Sequence, residues 1–352
     1  MRFALAILLF LCATAAPALY ASEIFPGKHW DRIDPPEQAG FSSAKLKQAK
    51  DIYDDMASNA FIVVYRGKLL VAWGNIDEKL DVYSVRKSFM SALYGVHVGT
   101  GKIDTHTTLA ALGIDEEEEP LTETEKSARI IDLLRARSGV YHPSAYTSYK
   151  KVLERPDRGE YKPREFWFYN NWDFNVLATI FHNLTGTNIF DAFARDIARP
   201  IGMEDFKPSD GRFHKEYVSR YPAYPFRMTA RDMARFGLLF ARHGKWRGRQ
   251  IIPADWVAES TRTHSITTRR NSKSVGYGYM WWTVRPGRRH FKNRLGDDAF
   301  SARGNGGQYI IVAPSLGIVA VHTSDWKWTR KKVRSGAVGR LLKAVLAAKL
   351  DG

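Results

Sequence analysis

Cysteine is almost absent from this sequence, and its scarcity excludes several kinds of site at once. The only cysteine among 352 residues is Cys12, which lies in an N-terminal stretch that we expect to be removed. The remaining chain would carry no thiol, which excludes disulfides, cysteine-based zinc sites and a cysteine nucleophile. Its stability must come from a hydrophobic core, for which a chain that is 44% hydrophobic has ample material.

Other familiar signatures are also missing, and each absence narrows the chemistry. The ten histidines show no His-Glu-x-x-His or other metal-ligand spacing, so we predict no metal site and no cofactor. The sequence has no Gly-x-Ser-x-Gly elbow, which argues against the catalytic triad of an α/β-hydrolase. Since no internal repeat or flexible linker interrupts the chain, we expect residues 22–352 to form a single domain.

The N-terminus has the three parts of a secretory signal peptide. Arg2 is followed by an apolar run over residues 3–11 and then by small residues ending at Ala21. We therefore predict that residues 1–21 are cleaved and that the protein is periplasmic or secreted. The alternative is a membrane anchor, but the apolar run is short for a bilayer span, and no later segment is long enough to cross one.

Acidic residues are outnumbered, 37 against 53 lysines and arginines, which gives a formal net charge of +16. A basic surface favours anionic partners. The basic residues are scattered through otherwise patterned segments, and an exported protein does not meet nucleic acid, so we predict no nucleic-acid partner. We expect weak association with an anionic envelope surface instead.

Hydrophobic periodicity places strands at both ends of the chain and helices between them. Apolar runs predict five strands, at 61–65, 69–73, 277–282, 308–312 and 317–321. Helical spacing predicts helices at 43–56 and 341–350 and several more across 105–227. The prediction is an α/β fold of the α+β kind. A five-stranded antiparallel sheet (sheet part 22–104 and 228–352) is flanked by N- and C-terminal helices and carries a mainly helical insertion over 105–227.

The chemistry is predicted at Ser84 and Lys87, which form a Ser-x-x-Lys pattern at the start of an apolar-periodic run. Helical spacing places Lys87 one turn above Ser84, so the two side chains can meet. A serine hydroxyl is a weak nucleophile until a base takes its proton, and a lysine amine desolvated beside a helix N-terminus can be that base. The same spacing occurs at three other places in the chain, so only context distinguishes Ser84.

Two stretches further along supply that context. Tyr169-Asn170-Asn171 places a Tyr-x-Asn motif at the start of a predicted helix of the insertion. Residues 301–308 place a glycine-rich, tightly turning segment before a core strand. In chain order, the three stretches resemble those of the serine β-lactamase and penicillin-binding protein superfamily, most closely its class C branch with the related esterases and 6-aminohexanoate-dimer hydrolases. The resemblance covers nearly all of the chain after the leader.

The resemblance implies a serine hydrolase and assigns roles to particular residues. Ser84 would be the nucleophile, Lys87 its proton acceptor or electrostatic activator, and Tyr169 a shuttle between nucleophile and leaving group. Either Lys87 or Tyr169 would be the base. Asn171 would hydrogen-bond Lys87 or a substrate amide. The backbone N–H groups of Ser84 and Asn305 would form the oxyanion hole.

The third motif departs from the family pattern. Relatives have Lys-Thr-Gly or His-x-Gly where this chain has Ala302-Arg303-Gly304, so the usual first-position cation is missing. Successive side chains of a strand point to opposite faces of the sheet, so Arg303 should not face the same side as the first position of the motif, Ala302. We expect Arg303 at the pocket rim or in a structural role. Gly304 is expected to support the oxyanion segment, and Gly306 and Trp172 are expected to line the substrate pocket.

The aromatic residues around the proposed site predict an apolar pocket floor; they are Trp167, Phe168, Trp172, Tyr279, Trp281 and Trp282. Together with the missing cation, this ranks small esters and uncharged or linear amides above β-lactams, and β-lactams above D-Ala-D-Ala stems. One alternative is a β-lactamase or a D-Ala-D-Ala carboxypeptidase-type penicillin-binding protein. Another, from a different class, is a non-catalytic binding protein that retains the fold.

Overall fold

The computed structural model describes residues 23–267, 275–285, 288, 290, 291, 293 and 295–350. The proposed signal peptide and Cys12 lie outside the described residues. Within the described ranges, no helix is both long and apolar enough to cross a membrane.

The helices begin where the sequence supplies capping side chains. Ser42 accepts a hydrogen bond from the Lys45 N–H at the start of the first helix, and Asn170 accepts one from the Trp172 N–H at the start of the sixth. The α-helices are α1 Ser43–Asp54, α2 Arg86–Gly99, α3 Glu123–Lys126, α4 Ile130–Leu134, α5 Tyr149–Leu153, α6 Asn171–Thr185, α7 Ile189–Phe193, α8 Ala230–Ala241, α9 Ala254–Thr261, α10 Trp326–Thr329 and α11 Ser335–Leu346.

The strands come from both ends of the chain and meet in one large sheet. They are β1 Ala60–Tyr65, β2 Lys68–Gly74, β3 Leu80–Asp81, β4 His214–Glu216, β5 Ser219–Ala223, β6 Arg227–Met228, β7 Lys245–Trp246, β8 Arg249–Gln250, β9 Ser265–Ile266, β10 Val275–Tyr277, β11 Trp282–Val284, β12 Phe300–Gly304, β13 Gln308–Ala313 and β14 Ile318–Thr323. In the described residues, eight of them form an antiparallel sheet in the order β2-β1-β14-β13-β12-β11-β10-β9. β1 pairs with β14, with Ala60 opposite Thr323.

The predicted antiparallel sheet is confirmed, but its predicted number of strands is wrong. The segment 277–282 is not one strand: β10 ends at Tyr277, and β11 begins at Trp282 after a turn in which Met280 has a φ of 59°. Long-range contacts hold this turn, since the Met280 N–H donates to the Leu134 carbonyl and Ser88 Oγ donates to the Met280 carbonyl. β9 and β12 complete the eight-stranded sheet. The insertion also contains the hairpin β4–β5, where the sequence predicts no strand.

The two faces of the sheet bury two separate hydrophobic cores. Neighbouring residues of β1 show the alternation, because Phe61 packs with α1 and α11 whereas Ile62 packs with α2 and α8. Gly237 lets α8 approach the sheet closely, since a Cβ added there would lie 2.5 Å from Val319 Cγ1. The face covered by α2 and α8 is therefore the one on which the Ser84 segment lies.

Candidate active site

Ser84 lies in a 3₁₀ turn, Tyr83–Val85, that leads directly into α2. Lys87 follows in the first turn of α2, and its Nζ lies 2.9 Å from Ser84 Oγ, at hydrogen-bonding distance. Tyr83, which precedes Ser84, has a φ of 48°, in the left-handed region that non-glycine residues rarely adopt. The structure thus brings Ser84 and Lys87 together across a tightly turned backbone.

The environment of Lys87 favours its neutral form. The side chain is only 1% exposed, and burial lowers the pKa of its amine well below the usual value, with a further contribution from the charge of Arg86. Its Nζ lies 4.9 Å from the centre of the Tyr169 ring and 4.8 Å from that of Phe174. Within the described part of the chain, no carboxylate pairs with Lys87. A neutral amine is what a proton acceptor requires.

Arg86, between Ser84 and Lys87 in the sequence, is a buried cation that the sequence analysis missed. Its guanidinium lies 4.7 Å from the centre of the Tyr224 ring and 5.4 Å from that of Tyr146, and Nη1 donates to the Tyr83 carbonyl at 3.4 Å. Its Nε and Nη2 have no hydrogen-bond partner in the described residues. The available signal was an arginine at the start of a helix made mostly of apolar and small residues, because such a helix is buried all round.

The Tyr-x-Asn motif lies against this pair, as the order of motifs predicts. Tyr169 immediately precedes the capping residue of α6, and one face of its ring meets Lys87 Nζ. The ring also stacks on Trp282, with centroids 5.5 Å apart and an interplanar angle of 24°. Trp167 packs against both rings, at 6.5 Å from Tyr169 and 6.1 Å from Trp282. These residues form an aromatic wall beside Lys87.

Asn171 hydrogen-bonds the backbone of Tyr146 and not Lys87, which is one of its two expected partners. Its Nδ2 donates to the Tyr146 carbonyl at 2.8 Å, while its buried Oδ1 has no hydrogen-bond partner in the described residues. The expected hydrogen bond between Asn171 and Lys87 is therefore wrong for this structure. Asn171 instead fixes Tyr146, whose ring covers Arg86. A substrate amide as its partner stays a prediction.

Two residues expected in the pocket, Trp172 and Gly306, are both buried. Trp172 has no exposed surface, and its Nε1 donates to the Glu116 carboxylate at 2.7 Å, inside the helical insertion. Gly306 is buried under Trp326, since a Cβ added to Gly306 would lie 1.7 Å from Trp326 Cδ1. The prediction for Trp172 is wrong, because closeness to a motif in the sequence does not determine which way a residue faces, whereas a pocket role for Gly306 stays a prediction.

The third motif lies next to the Ser84 turn. A Cβ added to Gly304, at the end of β12, would lie 2.3 Å from the Val82 carbonyl oxygen. Asn305 follows in the exposed turn between β12 and β13, and its oxyanion role stays a prediction. Arg303 lies on the face of Ser301, whose Oγ accepts from its Nε at 2.9 Å, and its guanidinium lies 5.3 Å from the centre of the Trp282 ring. The Trp282 ring thus contacts both Arg303 and Tyr169.

The sheet, the insertion and the placement of Ser84 between them define the fold of the serine β-lactamases and penicillin-binding proteins. The family model described as Beta-lactamase matches residues 49–340. The chain therefore belongs to the β-lactamase family.

In the described ranges, no three His, Cys, Asp or Glu side chains are grouped so that they could hold a metal ion.

Solved structures show the same fold at low sequence identity. A provisionally assigned 6-aminohexanoate-dimer hydrolase from Bacillus anthracis has a TM-score of 0.65 and 21% identity, over 86% of this chain and 83% of that one. A penicillin-binding protein homologue from Caulobacter crescentus has a TM-score of 0.64 and 13% identity, over 88% and 99%. A family VIII carboxylesterase has a TM-score of 0.64 and 15% identity, over 88% and 99%. No match was found among curated proteins.

Proposed function

We propose that this protein is a serine hydrolase that cleaves a small ester or amide through an acyl-enzyme at Ser84. The observation that carries the proposal is the 2.9 Å separation of Ser84 Oγ and Lys87 Nζ, in a site where burial lowers the pKa of the amine. The names of two structural neighbours agree with this chemistry, since one is a carboxylesterase and the other is provisionally a 6-aminohexanoate-dimer hydrolase.

The proposed reaction has two steps, acylation of Ser84 and hydrolysis of the acyl-enzyme. Neutral Lys87 accepts the Ser84 proton as Oγ bonds to the substrate carbonyl carbon, and the N–H groups of Ser84 and Asn305 receive the negative charge on the carbonyl oxygen. The bond to the leaving group then breaks, and the leaving alcohol or amine takes up the proton by way of Tyr169. Water repeats the sequence on the acyl-enzyme, releasing the acid and restoring Ser84.

The substrate class follows from the wall and from the missing cation. Tyr169, Trp167 and Trp282 present aromatic surface beside Lys87, and the third motif lacks the usual lysine or histidine. Esters and uncharged or linear amides are therefore favoured over β-lactams, and β-lactams over D-Ala-D-Ala stems. p-Nitrophenyl esters, a linear aminohexanoate dimer, nitrocefin and a D-amino-acid peptide test this order. A kcat/KM for nitrocefin tenfold above the best ester, about 1.4 kcal/mol in transition-state binding, would reverse the first preference.

Ser84→Ala tests the nucleophile. Removing it should lower turnover of short-chain p-nitrophenyl esters by on the order of 10⁴-fold or more. Ser91→Ala is the matched control, because Ser91 lies in α2, which directly follows the turn of Ser84, is buried, and has an Oγ without a hydrogen-bond partner in the described residues. Full activity in the Ser84 variant would overturn the proposal. A folded wild type that neither turns over the panel nor reacts with a covalent serine probe at Ser84 would favour a non-catalytic binding protein.

Export is part of the same proposal and rests on the sequence of residues 1–21. Fractionation of the producing cell, with N-terminal sequencing of the recovered protein, tests whether the chain is periplasmic or secreted and begins after Ala21.

A further inference from the structure

Exposed apolar side chains are concentrated in three short segments around the proposed site. The segments are 149–155, which contains α5; 212–220, which contains most of the hairpin β4–β5; and 326–334, which contains α10. We call them together the rim. Thirteen large hydrophobic residues are exposed in the described part of the chain, and seven of them lie in the rim: Tyr149, Val152, Leu153, Phe213, Tyr217, Val218 and Trp328.

These side chains are largely uncovered within the described chain, although Phe213 contacts Phe190, with ring centroids 5.1 Å apart. α5 contains no buried residue, and Tyr149 and Leu153 on it are 77% and 68% exposed. Trp328 is 85% exposed. Short helices gain most of their stability from packing an apolar face, so a short helix whose Tyr149, Val152 and Leu153 all stay exposed indicates a missing partner.

Two anchoring residues join the three segments into one surface. The N–H of Tyr146, three residues before α5, donates to the Glu216 carboxylate at 2.9 Å, and its ring lies 5.5 Å from that of His214, so α5 adjoins the hairpin. Asp81 accepts from Lys327 at 2.9 Å and pairs with Arg212 at 3.5 Å, so the hairpin adjoins the third segment.

The same anchors place the rim at the site. The Tyr146 ring lies over the guanidinium of Arg86, at 5.4 Å, and Arg86 adjoins Lys87 in the sequence. The Trp326 ring lies 5.9 Å from that of Tyr83, the residue before Ser84. A large flat partner that contacts the rim would therefore meet the protein next to Ser84.

The charge of the rim selects the kind of partner. Segments 149–155 and 212–220 each hold three basic residues and one acidic residue, and segment 326–334 holds five basic residues and none that are acidic. Exposed aromatic and aliphatic residues interleaved with lysine and arginine are the composition of surfaces that bind anionic lipid. A second copy of the chain is disfavoured, because two such surfaces carry charge of the same sign. Glu117, beside the hairpin, pairs with Arg220 at 3.4 Å.

We propose that the rim is a docking surface for an anionic lipid bilayer, and that it presents an acyl ester held in that bilayer to Ser84. Trp328, Tyr149 and Tyr217 would lie at the level of the headgroups, where aromatic residues with a polar edge are favoured, and the basic side chains would contact lipid phosphates. The docking stands on the rim alone, whereas the delivery of an ester rests on the proposed function.

Flotation of the full chain with phosphatidylglycerol–phosphatidylcholine vesicles, and with phosphatidylcholine alone, tests the docking. Wild type should bind the anionic vesicles, and binding should weaken as salt rises. Two double variants should each weaken binding by about tenfold or more. One combines Tyr217→Ser with Trp328→Ser, and the other combines Lys215→Glu with Lys331→Glu. The matched controls are Leu316→Ser and Lys47→Glu, which alter one exposed residue of each kind away from the rim. Residues 1–21 are common to all forms, so their contribution cancels.

Turnover of esters separates docking from catalysis. The rim variants should hydrolyse a soluble short-chain ester at the wild-type rate and lose turnover of an ester embedded in anionic vesicles. Equal vesicle binding by wild type and both rim variants would overturn the proposal, as would binding independent of lipid charge. A wild-type dimer that dissociates in the rim variants would overturn it in favour of self-association. Loss of soluble turnover in Ser84→Ala with vesicle binding intact would leave docking standing.

Discussion

Arg86 and Lys87 place two basic groups side by side in a buried site. Both are 1% exposed, and neither forms an ion pair with a carboxylate in the described residues. Two adjacent buried cations are unfavourable, and lysine relieves the repulsion by losing its proton because arginine does not. The pair thus combines a permanent charge with an amine whose pKa is lowered by burial and by that charge.

Arg86→Met should move the pH dependence of ester turnover. The rate rises with pH as Lys87 loses its proton, and removing the neighbouring charge raises the pKa of Lys87, so the rising limb should move to higher pH. At a fixed pH on that limb, a pKa of Lys87 that is higher by about one pH unit lowers kcat/KM about tenfold. The pH profile of kcat/KM, measured for wild type and variant, tests this.

Arg135→Met is the matched control, because the guanidinium of Arg135 lies over the Tyr279 ring at 5.2 Å, away from Lys87. Its profile should keep the wild-type limb. A purely structural role for Arg86 predicts an equal loss at every pH, so parallel profiles would contradict the electrostatic account.

At the scale of elements, β12 and the turn that carries Ser84 are in contact through backbone. Gly304 leaves no room for a side chain against the Val82 carbonyl, and Gly237 leaves none between α8 and the sheet. The added Cβ would clash at 2.3 Å in the first case and 2.5 Å in the second. These two glycines can serve as test and control, since both are closely packed but only Gly304 touches the segment that carries Ser84.

Gly304→Ala should lower both stability and activity, whereas Gly237→Ala should lower stability alone. Overpacking at either place costs about 1–3 kcal/mol, measured as the change in free energy of unfolding in urea. The kcat/KM of Gly304→Ala should fall about tenfold or more, because a displacement of about 1 Å at a catalytic turn costs up to 10²-fold. Equal activity losses in the two variants, measured well below their melting temperatures, would show that β12 does not position Ser84.

Local sequence determines some elements of this fold and not others. Arg66 and Gly67, with φ of 51° and 94°, make the turn of β1 and β2 that their sequence predicts. The break between β10 and β11 has no comparable local signal, since Tyr277 and Trp282 both favour strand. It depends on contacts with residues far away in the chain, such as Ser88.

Local sequence likewise determines some contacts of the candidate active site and not others. Ser84 and Lys87 are three residues apart, in a 3₁₀ turn and in the α-helix that continues it, so their contact follows from helical geometry. The burial of Arg86 depends on Tyr146 and Tyr224, which are brought to it by the fold of the insertion. Trp172 faces away from the pocket because Glu116, 56 residues earlier, accepts its N–H.

At the scale of the whole molecule, buried ionisable groups couple stability to pH. His322 in β14 is fully buried, with Nδ1 at 2.5 Å from the Gly307 carbonyl and Nε2 at 2.8 Å from Ser58 Oγ. Burial lowers its pKa to about 4. Asp232 has the opposite effect on how stability changes with pH, because burial raises the pKa of its carboxyl to about 6.

The sign of each contribution follows from proton uptake. As pH falls from about 6.5 toward 4, unfolded chain binds a proton at His322 that folded chain does not, so the stability that His322 contributes at neutral pH is lost. Folded chain binds a proton first at Asp232, which adds stability over the same range. Between pH 7 and pH 5 the His322 contribution amounts to about 2 kcal/mol.

His322→Gln should make the free energy of unfolding less sensitive to acid. Relative to wild type, the variant should lose about 2 kcal/mol less between pH 7 and pH 5, measured by urea unfolding at each pH. His106→Gln, which replaces an exposed histidine, should follow wild type. A wild-type-like loss in the His322 variant would contradict the assignment.

The pairing of β1 with β14 has a consequence for how this chain reaches its native state. Ala60 and Thr323 are partners in the ladder, so this pairing joins residues that are far apart in the chain. Loop closure over such a separation is slow. A ribosome-bound chain that has not yet reached β14 must hold the edge of β1 unpaired, which is a site for aggregation. The large sheet can thus be completed only once β14 has been made, and the yield of folded protein depends on what shields that edge until then.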